Sequence, residues 1–170
     1  MTPVVTLVDA HHHLWDVDGG YARLDADLPS VRFVLDHLGK PPVRSGPLGP
    51  WRDDLARLAD CPNVTAKLSG LVTEADLGAW TAEDLRPSVR AAVELFGPDR
   101  LMFGSDWPVC LLASSYRRVL DTMRDLSCDV DDAGRQAIFG GTAVARYRLG
   151  TGGPDTVATG VQSPRRHVWH

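Results

Sequence analysis

The residues of this chain that are equipped for chemistry stand at the ends of short apolar runs. His11 and His13 lie two apart after Val4-Val5-Thr6-Leu7-Val8-Asp9, and the two-residue period of a strand sends both imidazoles to one side. Two neutral imidazoles on one side suit a divalent cation, and a carboxylate such as Asp106, arriving from another strand, would supply the negative charge it needs. His12 points the other way and reads as structural. A histidine triplet can also be a surface cluster without a role.

His37 follows Val34-Leu35-Asp36. It reads either as a core histidine bonded to a backbone carbonyl or as an imidazole that polarises a substrate carbonyl or shuttles a proton. Asp106, between Ser105 and Trp107-Pro108, is either the cap of a turn or a general base and metal ligand that activates water against an acyl carbon. Lys67 and Ser69 close a third run, Val64 to Leu68. The lysine is either a solvated or salt-bridged group or an anion-binding one.

These positions require elements to hold them, and the apolar pattern supplies an alternation of strands and helices. Val4 to Asp9, Arg32 to Asp36, Val64 to Leu68 and Arg100 to Phe103 read as strands, the first of them buried on both faces. The stretch from Asp16 to Ser30 reads as a loop, and Pro41, Pro42, Pro47 and Pro50 make another. Trp51, Leu55, Leu58 and Ala59 trace a helix that Pro50 favours at its start and Pro62 ends. Thr81 and Asp84 form a capping-box pattern ahead of the stripe Leu85, Val89, Ala92, Val93 and Phe96. Pro87 is tolerable there only in the first turn, and Gly97-Pro98 stops the helix. Further helices are predicted over Tyr116 to Leu126, with the stripe Tyr116, Val119, Leu120 and Met123, over Asp132 to Phe139, and after Thr142.

Strands alternating with helices indicate βαβ units and a parallel sheet. In such folds ligands bind beyond the carboxyl ends of the strands, which is where His11, His13, His37, Lys67 and Asp106 fall. Residues 1–149 therefore read as one domain. Residues 150–170, almost without large apolar side chains, read as a disordered tail.

Composition narrows the partner. The chain has 170 residues, 44% apolar and 24% charged, with 18 Lys and Arg against 22 Asp and Glu. That mild acidity, with no basic run beyond Arg165-Arg166, gives no footprint for nucleic acid or an anionic membrane. No apolar stretch approaches the ~20 residues that span a bilayer, and the first residues lack the pattern of a signal peptide. Cys61, Cys110 and Cys128 form no C-x-x-C pair and suit reduced thiols. A small-molecule substrate and a cytoplasmic location are the expectations.

Four segments carry a family resemblance: Asp9-Ala10-His11-His12-His13-Leu14-Trp15-Asp16, Phe33-Val34-Leu35-Asp36-His37-Leu38-Gly39-Lys40-Pro41, Asn63 to Leu71, and Arg100-Leu101-Met102-Phe103-Gly104-Ser105-Asp106-Trp107-Pro108-Val109-Cys110. In this order they resemble the amidohydrolase-related proteins that include sugar-acid lactonases and 2-pyrone-4,6-dicarboxylate lactonases. Ile138 to Ala143 fits the closing segment, with Thr142 where the family usually has Asn.

The resemblance implies a partial amidohydrolase-like (β/α)₈ TIM barrel in which strands equivalent to 1, 6, 7 and 8 are retained. His11 and His13 would end strand one, His37 strand six and Asp106 strand eight, with Lys67 marking strand seven. It implies hydrolysis of a lactone or related cyclic ester, with Asp106 taking a proton from the attacking water and His37 assisting. Lys67 and Trp15 are the expected substrate contacts. Zinc or manganese would be held by His11, His13 and Asp106, although some relatives have lost the metal and a metal-independent mechanism stands beside this one. Between Trp15 and Arg32 the family would place strands two to five, more than about a hundred residues at ~30 per βα unit. A complete barrel takes about 250 residues. The resemblance therefore implies an internal deletion, and two copies meeting as a 4+4 homodimer would close the barrel. The competing readings are a non-catalytic remnant or binding module of the same family, and a metal-dependent decarboxylase.

Overall fold

The computed structural model describes residues 28–149. The predicted first strand, His11, His12, His13, Trp15 and the segment 150–170 lie outside the described residues.

Three parallel strands, β1 (Phe33–Leu35), β2 (Val64–Leu68) and β3 (Leu101–Phe103), form a sheet in the order β1-β2-β3. Phe33 pairs with Val64 and Leu35 with Ala66; across the other edge of β2, Ala66 pairs with Leu101 and Leu68 with Phe103. The second predicted strand is shorter than Arg32 to Asp36. The extended backbone stops at Leu35, because His37 and Leu38 turn left-handed (φ 50° and 52°) inside a 3₁₀ turn over Asp36–Gly39.

Helix α1 (Gly49–Ala59) connects β1 to β2, and α2 (Leu71–Glu74) with α3 (Ala82–Phe96) connects β2 to β3. The start of α3 is set as its sequence predicts: the Thr81 N–H and hydroxyl both donate to Asp84 Oδ2, at 2.7 and 2.9 Å. The short α2 has no counterpart in the predicted elements. Pro87 sits beyond the first turn, inside α3. It removes the amide that would bond the Glu83 carbonyl, but both residues are exposed, so the missing bond falls on the solvent side of the helix.

One face of the sheet carries Val64, Ala66, Leu68 and Leu101, and packs on Leu55 and Leu58 of α1 and on Leu85, Val89, Ala92 and Phe96 of α3. Each buried Val, Leu or Phe among them contributes about 1.5–3 kcal/mol of transfer free energy. Arg100 ties the layer together at its base, donating to the carbonyls of Phe96, Ala59 and Cys61.

After β3 come a 3₁₀ turn (Val109–Leu112), α4 (Tyr116–Leu126), α5 (Asp132–Gln136), a π-turn (Ala137–Gly141) and α6 (Thr142–Tyr147). Helix α4 has its predicted bounds but not its predicted stripe. Tyr116 is exposed, and the buried face is Val119, Thr122, Met123 and Leu126. Arg118 lies 4.0 Å over the Trp80 ring and donates to the Trp80 carbonyl, while Trp80 Nε1 donates to the Ala113 carbonyl. These contacts clamp the segment that follows β3 against the start of α3. Among the described residues, no helix is long and apolar enough to cross a membrane.

Candidate active site

Register places the polar residues at the carboxyl end of the sheet. Because Leu35 pairs with Ala66, Asp36 lies beside Lys67, and Lys67 Nζ stands 3.0 Å from Asp36 Oδ1. One residue further on, the left-handed turn brings the His37 ring back over the end of β2, where Nδ1 and Ser69 Oγ share a 2.8 Å hydrogen bond. His37 Nε2 then faces Asp106 Oδ1 at 3.8 Å. The imidazole thus lies between two carboxylates, since Asp36 Oδ1 is 3.9 Å from Nδ1. His37 and Asp106 keep 20% and 14% of their side-chain surface, so both are largely withdrawn from water, where electrostatic interactions are stronger.

Two backbone features hold this geometry. The turn at His37 runs through four successive left-handed residues, ending in Gly39 (φ 67°) and Lys40 (φ 58°). A non-glycine residue there is strained by of order 1–3 kcal/mol. Complete burial of the Leu38 side chain and a 2.8 Å bond from Trp51 Nε1 to its carbonyl offset that strain. Asp106 is left-handed too, at φ 58°, and its carbonyl accepts the Cys110 N–H at 2.8 Å.

The second feature is a pair of glycines. A Cβ built on Gly70, itself at φ 67°, would lie 2.7 Å from His37 Cγ and Nδ1. A Cβ on Gly104, whose N–H continues the ladder to the Leu68 carbonyl, would lie 3.0 Å from Ser69 Cβ. Both absences make room for the His37–Ser69 pair.

Of the residues expected from sequence to act, His37, Lys67 and Asp106 therefore converge. His11, His13 and Trp15 lie outside the described residues. Lys67 is bound to Asp36, the salt-bridged alternative of its sequence reading, and Lys40 is likewise paired, 3.4 Å from Glu74. Ser69 as the partner of His37 was not foreseen. The signal available was the pair Ser69-Gly70, a small polar residue and a glycine directly after a strand. Cys110, beside Asp106, is fully buried; burial first and the Asp106 charge second push its thiol up. It is a neutral packing group and not a nucleophile.

Among the described residues no group of three metal-ligating side chains occurs. Of the residues the resemblance assigns to a metal, Asp106 is described: its carboxylate stands in the site beside His37, and an oxygen donor of this kind suits zinc or manganese. The remaining ligands would be His11 and His13.

A parallel α/β sheet with a histidine and an aspartate facing each other beyond its carboxyl ends defines a class, the ligand-binding or catalytic α/β domain. Comparison with known proteins sharpens it: residues 21–149 match the amidohydrolase family model, and the chain belongs to that family. It is 45% identical over 144 residues to an L-fucono-1,5-lactonase of Burkholderia multivorans, covering 79% of this chain and 47% of the relative. An L-rhamnono-gamma-lactonase of Scheffersomyces stipitis is 27% identical over 142 residues, covering 72% of this chain and 42% of the relative. Among solved structures, a zinc-bound amidohydrolase of Burkholderia multivorans superposes with a TM-score of 0.72 at 43% identity, over 76% of this chain and 48% of that one. The chain thus spans about half the length of the relatives it matches.

Proposed function

We propose that this chain acts as a hydrolase of sugar-acid lactones, with Asp106 as the base that takes the proton of the attacking water. The observation that carries the proposal is the approach of His37 and Asp106 to 3.8 Å at the carboxyl ends of β1 and β3, in a chain whose relatives include sugar-acid lactonases.

The chemistry follows from the acceptor and donor at that gap. With the Ser69 hydroxyl donating to Nδ1, His37 carries its ring proton on Nε2 and offers it to the lactone carbonyl oxygen. Water held by Asp106 gives up a proton to the carboxylate as its oxygen bonds to the acyl carbon. The tetrahedral intermediate then loses the ring C–O bond, and the proton on Asp106 passes to the departing alkoxide oxygen. The product is the open-chain hydroxy acid. Lys67, held beside Asp36, keeps a positive charge near the forming carboxylate, and Trp15 would contact the sugar. Zinc or manganese, where bound through His11, His13 and Asp106, would lower the pKa of water and polarise the carbonyl. The roles of Asp106, His37 and Ser69 are the same with or without it.

The architecture supporting this reading is a half-barrel in which β1, β2 and β3 correspond to strands six, seven and eight, with the run Val4 to Asp9 as strand one. We place two copies edge to edge around a common axis. Trp107, Leu111 and Leu112, which follow Asp106, are 64%, 56% and 69% exposed. Exposed apolar side chains are features that association removes.

The test is a panel of sugar-acid lactones, L-fucono-1,5-lactone and L-rhamnono-γ-lactone among them, followed by acid release with and without zinc or manganese. Turnover of at least one lactone above its spontaneous rate supports the proposal. A folded chain that opens none of them leaves the non-catalytic binding module as the better description.

A further inference from the structure

A second polar cluster lies at the opposite end of the sheet. Arg32 directly precedes β1, Thr65 is the second residue of β2, and Arg146 reaches from α6 to donate through Nη2 to Thr65 Oγ1. Val34 pairs with Thr65, so Arg32 and Thr65 share this end of the strands. At ~3.3 Å per residue, Thr65 and Ser69 are about 13 Å apart along β2; the cluster is therefore distinct from the site at His37 and Asp106.

What marks this cluster is positive charge that no described carboxylate compensates. Arg32 Nη2 is buried and makes no hydrogen bond among the described residues. Burial first, then the charges of Arg32 and Arg100, push the Arg146 guanidinium below the ordinary arginine range. Among the described residues none of the ion pairs involves Arg32, Arg100 or Arg146. Arg100 is satisfied in another way, by three backbone carbonyls. Arg32 and Arg146 have no such set. Guanidinium groups removed from water and held near one another need an anion, and their fork geometry matches an oxyanion.

We infer that Arg32 and Arg146 form a binding site for a small inorganic oxyanion of the phosphate or sulfate class at the amino-terminal end of the sheet. The buried Arg32 Nη2 and the Arg146 guanidinium beside Thr65 supply the donors, and the anion neutralises charge left unpaired among the described residues. The role is structural, joining α6 to the start of β1.

Equilibrium dialysis of labelled inorganic phosphate against the full-length chain, at constant ionic strength, tests this directly. One saturable equivalent is expected in the wild type, with binding at least tenfold weaker in Arg32→Gln and in Arg146→Gln. Phosphate should also raise the wild-type melting temperature above that in chloride of equal ionic strength, and should not do so in either variant. If a variant does not fold, the wild-type isotherm still decides. The absence of a saturable equivalent, or uptake that is equal in wild type and folded variants, would overturn the inference.

Discussion

At the scale of single residues, the site depends as much on what is missing as on what is present. His37 reaches Ser69 only because Gly70 has no side chain, and Gly70→Ala would set a methyl group 2.7 Å from the imidazole at a backbone angle of φ 67°. The substitution is expected to cost about 1–3 kcal/mol, as strain at such positions does. It should also reduce lactone turnover by displacing the ring. Denaturant melts and steady-state rates on the same preparation check both effects. A fully active, equally stable Gly70→Ala would show that the ring does not sit over Gly70. Sequence spacing identified His37, Lys67 and Asp106 because each follows an apolar run in a parallel fold. It did not reveal that Lys67 is held by Asp36, nor that Ser69 orients His37, since both depend on the register of β1 against β2. The left-handed turn was equally hidden, because Gly39 alone does not announce that His37, Leu38 and Lys40 share its conformation.

At the scale of elements, local signals were dependable wherever they were also physical constraints. The capping pattern of Thr81 and Asp84 sets the start of α3 as read. Removing it in Asp84→Ala should destabilise the chain by about 1 kcal/mol, visible as a lower urea midpoint with an unchanged slope; an unchanged midpoint would mean that packing alone fixes this helix. Signals failed where tertiary contacts decide. Tyr116 has the spacing of a core residue yet lies outside, since the face of α4 that meets the core runs through Val119, Thr122, Met123 and Leu126. Pro87 is tolerated in mid-helix because its missing bond falls on the exposed side. Thr142, where the family resemblance anticipates Asn, is buried and donates to the Asp99 carbonyl. A short hydroxyl therefore serves in linking α6 to the turn before β3.

At the scale of the whole molecule, length and function pull against each other. The family match extends over residues 21–149, while the chain covers only 42–48% of the relatives compared. The motifs alone exposed this tension, since they call for a barrel of about 250 residues. They could not show how the three described strands are completed into a barrel. If two copies complete the barrel, sedimentation at micromolar concentrations should give a mass near twice that of the chain, and Leu112→Asp should shift the population towards monomer. A monomer that melts cooperatively and still turns over lactone would contradict the paired half-barrel. The central claim is that Asp106 takes the proton from water. It is tested most directly by comparing hydrolysis of a turned-over lactone, L-fucono-1,5-lactone in the first instance, by the wild type and by folded Asp106→Asn. The account predicts a fall in kcat of about 10²–10⁴-fold, the usual contribution of a general base, at an unchanged melting temperature; a variant that retains the wild-type rate would contradict it.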